Sequence, residues 1–234
     1  MDKNQPSLRP RLAGLVLAVV LAAATPAAAI PITTWNVAGS NGQTAAVLAS
    51  EPLTTATDLV AVNVTPWPGG YCCFTAAAGW SLAFDASRYF EFSVTADPGH
   101  SIAYDSITLS LFRGISGATH GAESWQLRSS VDAFGSTLAG FSLAGSAGDE
   151  QVLFAGVDIS ALGTQSGTVT FRLYGYDYTA PGDYSGLGAQ PGTTPLTGTG
   201  SNLILDGTVV PEPSTAVLVA LGLIVLGSRR RARG

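Results

Sequence analysis

The chain has 234 residues, a net charge of −5, only 12% charged residues and 46% hydrophobic ones. Its basic residues crowd the two ends, leaving four arginines against fifteen carboxylates between residues 30 and 228, a net charge of −11 without a single lysine. A surface of that sign repels nucleic acid and anionic lipid, which sets aside nucleic-acid binding as a function.

Residues 1–29 read as a signal peptide. Lys3, Arg9 and Arg11 form a basic n-region, residues 12–24 an apolar core, and Ala27-Ala28-Ala29 puts small residues where signal peptidase reads them. Cleavage after Ala29 and export across the inner membrane are expected. Residues 30–209 are then the folded part, long enough to bury one substantial core.

The dominant period in that part is two. Over 89–95, Phe90, Phe92 and Val94 fall on one face; over 106–112, Ile107, Leu109 and Leu111 do; over 168–174, Val169, Phe171 and Leu173 do. Such alternation predicts half-buried strands. Weaker strand patterns cover 32–37, 59–64, 79–84, 125–129, 151–157 and 203–208, with turn clusters such as Asp97-Pro98-Gly99 and Pro181-Gly182-Asp183 between them. A helical period is missing, although 158–162 can make a single turn. Residues 186–201 hold seven glycines and prolines and no charge, which predicts a long surface loop or a flexible approach to the last strand. The expected fold is all-β, an antiparallel β-sandwich of jelly-roll type.

Cys72 and Cys73 are the only cysteines. In an oxidising compartment a lone pair tends to bridge, but adjacent residues do so only through a strained ring. A vicinal disulfide, free buried thiols and an intermolecular bond all fit. Arg172, Tyr174, Tyr176 and Tyr178 fall on one face of a strand and its continuation, a row able to stack sugar rings or to pack across the sheet. Trp67, Tyr71, Trp80 and Trp125 offer a second aromatic surface. Asp149-Glu150, Asp177 with Asp183, and Asp206 lie in or beside expected loops as oxygen donors for Ca²⁺, without an Asp-x-Asp-x-Asp-Gly loop to organise them. His100 and His120, both next to glycines in expected loops, lack the spacing of a metal site. No cofactor is expected. Gly-x-Ser-x-Gly is missing as well, and Glu91 and Glu123 stand as acid candidates for glycoside hydrolysis without an evident partner.

The chain ends, over residues 210–234, in three parts: Pro211-Glu212-Pro213, an apolar run at 216–227, and Arg229-Arg230-Arg231-Ala232-Arg233. The two prolines favour an extended approach. As a helix the apolar run rises about 18 Å against about 30 Å of hydrocarbon, short for a lasting anchor. The arginines hold the cytoplasmic side as a topology stop, so everything before residue 210 lies outside. This ending resembles the PEP-CTERM sorting signal of exported bacterial proteins. The resemblance implies recognition by an exosortase, a membrane-embedded cysteine peptidase of the transpeptidase kind found in Gram-negative bacteria that make extracellular polysaccharide, with cleavage near the motif. Trp125-Gln126-Leu127-Arg128-Ser129-Ser130, Phe171-Arg172-Leu173-Tyr174-Gly175-Tyr176 and Leu203-Ile204-Leu205-Asp206-Gly207 resemble recurring strands of the β-sandwich ectodomains that precede this signal. A Trp and an Asp-Asn pair often lead into the last of these strands; here only Asn202 stands there. The family implies no established enzymatic activity. The expectation is a non-enzymatic surface or matrix protein, anchored transiently in the inner membrane, structural or adhesive and in contact with exopolysaccharide. A carbohydrate-binding module using the tyrosine row, or a glycan-acting enzyme, are the alternatives.

Overall fold

The computed structural model describes residues 29–37, 44–66, 73–116, 119–143, 150–179, 185–188 and 202–212, with 66, 73–78, 115, 116, 119 and 150 described by their backbone alone. The first strands are β1 (Ile30–Trp35), β2 (Thr44–Ala45), β3 (Val47–Ser50), β4 (Thr54–Ala56), β5 (Leu59–Val62) and β6 (Thr65–Pro66). Then come β7 (Cys73–Ala78), β8 (Tyr89–Ala96), β9 (His100–Arg113), β10 (Ile115–Ser116), β11 (Thr119–His120) and β12 (Ser124–Ser129). The last six are β13 (Ala139–Ser142), β14 (Glu150–Asp158), β15 (Thr164–Ser166), β16 (Thr168–Tyr176), β17 (Ser185–Gly188) and β18 (Leu203–Pro211). Single 3₁₀ turns stand at Ser130–Asp132 and at Ser160–Leu162, the latter inside the turn expected at 158–162.

Among the described residues two large antiparallel sheets result, as the alternation predicts, beside a two-stranded ribbon of β10 and β11. One runs β3-β1-β18-β9-β17-β7-β6, with β14 and β15 also on β9; the other runs β13-β12-β16-β8-β5-β2, with β4 also on β8. Their inner faces meet in one core. Trp35 of β1 stands edge-on to Phe92 of β8 with ring centroids 4.8 Å apart, Phe92 stacks on Phe171 at 5.2 Å, and Tyr104 of β9 meets Phe171 at 5.6 Å. Each such ring removes enough apolar surface from water to stabilise the fold by about 1.5–3 kcal/mol. Phe141 of β13 against Phe154 of β14 joins the two sheets along one side.

The fourteen-residue β9 keeps its inward face through a change of phase. Ile102 and Tyr104 point inward, then Ile107, Leu109 and Leu111, because the register with β18 slips between Asp206 and Gly207 and leaves Asp105 as an extra, exposed residue. A β-bulge of this kind moves a strand's hydrophobic set by one position. Gly207 sits where the strands close up: a Cβ there would lie 2.4 Å from the Ala103 carbonyl oxygen and 2.5 Å from Ile32 Cδ1.

Three expectations fail in whole or in part. Residues 79–84 form no strand apart from a bridge of Ser81 to Tyr176, because Gly79, at φ +105°, turns the chain away after β7. The stretch expected as a surface loop or flexible approach over 186–201 begins instead inside β17, whose four residues are buried between β9 and β7, while 189–201 lie outside the described residues. The small glycine and serine side chains of Ser185-Gly186-Leu187-Gly188 hide this strand from a pattern search. His100 and His120 likewise stand at strand ends, in β9 and β11. The signal peptide, apart from Ala29, and the apolar run at 216–227 lie outside the described residues. Among the described residues no helix is long and apolar enough to cross a membrane.

Candidate functional site

The inner parity of the second sheet decides what its outer face carries. With Phe90, Phe92, Trp125, Leu127, Phe171 and Leu173 inward, the alternate residues Tyr89, Glu91, Gln126, Arg128, Arg172, Tyr174 and Tyr176 share the outer face. The register sets Arg172 of β16 between Glu91 of β8 and Arg128 of β12. Two guanidinium groups side by side repel, and each is held by a different set of partners. Arg172 donates from Nε to Glu91 Oε2 at 2.7 Å and lies 4.2 Å over the Tyr89 ring and 3.9 Å over Phe134. Arg128 lies 4.2 Å over Phe84, donates from Nη2 to Gln126 Oε1 at 2.8 Å and from Nη1 to the Phe134 carbonyl at 3.0 Å. It forms no ion pair among the described residues. Gln126 in turn donates to the Tyr176 hydroxyl at 2.9 Å. Cations over aromatic faces are attracted by the ring quadrupole, so the face is a continuous ring-and-guanidinium network.

Phe84 and Phe134 come from loops that the chain fixes by local bonds. Asp85 accepts from the Ser87 backbone at 2.9 Å and hydroxyl at 2.7 Å, and pairs with Arg88 at 3.1 Å. The Ser87 hydrogen bonds above all hold the Asp85 carboxyl below its usual range. Asp132 accepts from Ser136 and Gly135 in the same manner, with the same direction of shift, and Ala133 and Phe134 both take positive φ to turn the Phe134 ring back over Arg172. Burial alone would lower the Arg172 pKa, yet its bond to Glu91 helps outweigh this and raise it, so the guanidinium stays charged.

The structure therefore brings together three of the four residues in the expected row. Tyr174 is buried at 2% exposure, between Phe84 at 5.2 Å and Tyr89 at 5.4 Å, whereas Arg172 and Tyr176 are half-buried. Tyr178 does not continue the row. Asp177 takes φ 64°, the alternation reverses, and Tyr178 turns into the core. The exposed rim consists of Phe84 at 37% and Leu82 at 68%, with Tyr176 6.0 Å from Phe84. Phe84, Tyr89, Gln126, Arg128 and Phe134 escaped sequence reasoning; only the outward parity of Tyr89, Gln126 and Arg128 on predicted strands could have suggested three of them. Trp80 and Trp125 do not form an aromatic surface. They pack edge-on at 5.0 Å inside the core.

The other candidates resolve differently. Glu91 is bound by Arg172, and Glu123 accepts from the buried Arg113 at 2.8 Å with His120 Nε2 at 3.5 Å, so each acid candidate faces an arginine. Asp206 accepts from Ser106 within the sheet, and Asp177 follows β16; no group of three His, Cys, Asp or Glu residues able to hold a metal ion occurs among the described residues. Asp149, Asp183, Cys72, Trp67 and Tyr71 lie outside the described residues, and Cys73 opens β7 with only its backbone described. Between the 3₁₀ turns lies a shallow depression of about 230 Å³ lined by Ser129, Val131, Asp132, Ser136, Leu138 and Leu162, with Asp132 its one titratable group.

At the end of the chain, Pro211 is the last residue of β18 and pairs with His100 of β9. The Glu212 amide then donates to the Gly99 carbonyl at 2.9 Å, so Pro211 closes the strand and Glu212 is tied to the turn before β9; Pro213 and Arg229, Arg230, Arg231 and Arg233 lie outside the described residues. A family model described as the PEP-CTERM protein-sorting motif matches residues 209–231. No curated protein and no solved structure matches the chain. The chain thus carries a PEP-CTERM motif, which implies an exported protein processed by an exosortase, and it joins that motif directly to the last strand of a β-rich ectodomain.

Proposed function

We propose that the ectodomain is a non-catalytic structural or adhesive component of the cell surface or extracellular matrix, in contact with exopolysaccharide through the outer face of its second sheet. The observation that carries this reading is the rim of Phe84 and Tyr176 over the Arg128–Gln126 network. Phe84 is backed by a guanidinium and exposes ring surface to solvent, and beside it stand a phenol hydroxyl and an amide. An apolar ring face next to fixed polar groups suits the alternating C–H and hydroxyl faces of a sugar ring. The platform is open rather than a cleft, which suits a long polymer better than a small ligand. A non-catalytic role is supported by the ion pairs of Glu91 with Arg172 and of Glu123 with Arg113, which hold each carboxylate in a structural contact.

The test is cosedimentation of the mature protein with exopolysaccharide purified from the producing cells. Phe84→Ala and Tyr176→Ala together are expected to weaken binding at least tenfold, taking about 1 kcal/mol per ring. Unchanged binding by a double variant that still melts cooperatively would remove this face from consideration.

A further inference from the structure

We propose that the ligand of the outer face is an acidic polysaccharide, and that Arg128 and the Tyr176 hydroxyl take the carboxylate of a uronic acid residue resting against Phe84. This inference rests on the carbohydrate reading above and names the class of sugar. Between residues 30 and 228 the chain has four arginines, no lysine and fifteen carboxylates. Arg88 pairs with Asp85 at 3.1 Å, Arg113 with Glu123 at 2.8 Å and Arg172 with Glu91 at 2.7 Å. Among the described residues Arg128 alone of the four has no ion pair; its bonds go to an amide oxygen and a backbone carbonyl. The one guanidinium left uncompensated is thus the one behind the exposed Phe84 ring.

The hydrogen-bond inventory of this face points the same way. A guanidinium carries five N–H donors. Arg128 donates from Nε and Nη2 to Gln126 Oε1 at 3.3 and 2.8 Å, and from Nη1 to the Phe134 carbonyl at 3.0 Å. One N–H on each Nη atom is left without a partner among the described residues. Gln126 Oε1 also accepts from the Thr137 hydroxyl at 3.0 Å, so its two lone pairs are fully used. The Gln126 amide nitrogen donates to the Tyr176 hydroxyl at 2.9 Å, which makes the phenol oxygen the acceptor there and leaves its own hydrogen free to donate. The rim therefore offers a ligand mainly donors, with a positive charge behind them. A sugar hydroxyl both donates and accepts, whereas a carboxylate only accepts and fits a guanidinium fork.

Position and local charge complete the match. The Phe84 centroid lies 4.2 Å from Arg128 Cζ and 6.0 Å from the Tyr176 ring, so ring and donors share one spot. A uronic acid carries its carboxylate on the pyranose ring, so one residue can lay C–H groups on Phe84 and turn its carboxylate to Arg128. Glu91 is neutralised by Arg172 and stands two strands from Arg128, about 10 Å across the sheet. Asp132, on the loop that brings Phe134, is tied to Gly135 and Ser136 and makes no ion pair with Arg128. The net charge of −11 over residues 30–228 repels any polyanion at a distance. Binding therefore rests on contact within hydrogen-bond reach, where one guanidinium and one ring meet one sugar.

The experiment measures binding of the mature protein to immobilised polygalacturonate, to the same polymer after its carboxylates are reduced to primary alcohols, and to polyglutamate. The wild type is expected to bind polygalacturonate about tenfold more tightly than either of the others. Arg128→Gln should lose about that factor on polygalacturonate and leave the reduced polymer unaffected, and Arg128→Lys, which keeps the charge but not the fork, should fall between. Equal binding to the acidic and reduced polymers, or to neither, overturns the inference. So does an equal loss on both in Arg128→Gln, which would make Arg128 only a support for Phe84, and so does equally tight binding to polyglutamate, which would remove the sugar. The carbohydrate reading itself stands or falls separately, on Phe84→Ala with Tyr176→Ala against the cells' own exopolysaccharide.

Discussion

Replacing Tyr104 by phenylalanine should stabilise the protein. Tyr104 lies on the inward face of β9 at 4% exposure, and its hydroxyl has no hydrogen-bond partner among the described residues. A buried hydroxyl left unpaired costs about 1–3 kcal/mol in lost hydration, and phenylalanine keeps the edge-on contact with Phe171 at 5.6 Å while removing that cost. The loss of one oxygen's packing offsets part of the gain, so about 1 kcal/mol is the expected net effect. For a domain of this size that raises the melting temperature by about 2–4 °C. The same burial pushes the phenol's pKa up from its ordinary value near 10. A raised pKa means that the folded state holds the proton more tightly. The contribution is therefore fully present below about pH 10 and is lost as pH rises from there toward the folded value. Thermal melts at pH 7 and at pH 11 check both parts: the variant should melt higher at pH 7 and lose less between the two. A melting temperature lowered by 2 °C or more at pH 7, with an unchanged alkaline loss, would show that the hydroxyl is satisfied in the folded protein.

Gly207→Ala should cost about 3 kcal/mol in urea unfolding, since its Cβ would meet backbone at 2.4 Å where β18 crosses Ala103; a change within 0.5 kcal/mol would mean that the strands separate easily there. Glu123→Ala should cost about 3 kcal/mol by removing the carboxylate that faces the buried Arg113, the low end for a buried pair because Glu123 is 23% exposed. Equal stability of the wild type and Glu123→Ala would contradict it. Asp85, Asp132 and Asp158 are held below the usual carboxylate range, first of all by hydrogen bonds from Ser87, Ser136 and Ser160. Depressed pKa values contribute stability that is full above about pH 4 and fades as pH falls through the folded values. The triple Asp→Asn variant should show a shallower loss of melting temperature between pH 4 and pH 2, and an unchanged slope would count against it.

Period-two alternation located the long strands because their two faces meet different solvents: Phe90, Phe92 and Val94 face the core while Tyr89, Glu91 and Ser93 do not. Where both faces are covered the signal disappears. β17 is buried throughout and built of serine, glycine and leucine, so nothing in it alternates. The row Arg172, Tyr174 and Tyr176 was readable from parity, but its end was not. Whether Tyr178 points out or in depends on a positive φ at Asp177, whose amide is bonded to the Leu82 carbonyl 95 residues earlier. Phe84 and Phe134 were out of reach for the same reason: each arrives from a loop that carries a ring across to another strand's arginine.

Strand order also gives the sandwich two unlike poles. The turn from β8 to β9 at Asp97–Gly99, the start of β1, the end of β18 and the β15–β16 turn at Gly167 stand at one end: His100 donates to Asp97, Ala96 to Gly167, and Glu212 to Gly99. β9 then runs fourteen residues, about 43 Å, to Arg113. On the other sheet, β16 climbs from Thr168, opposite Thr95, through Arg172 to Tyr176, about 26 Å farther from that end. The lower part of this outer face carries hydroxyls, with Thr95 and Thr168 joined at 2.8 Å and Ser93 and Thr170 at 2.9 Å. Rings and guanidinium groups take over above them. An ectodomain tied to the membrane at the β18 end thus lifts Phe84 and Tyr176 away from the lipid.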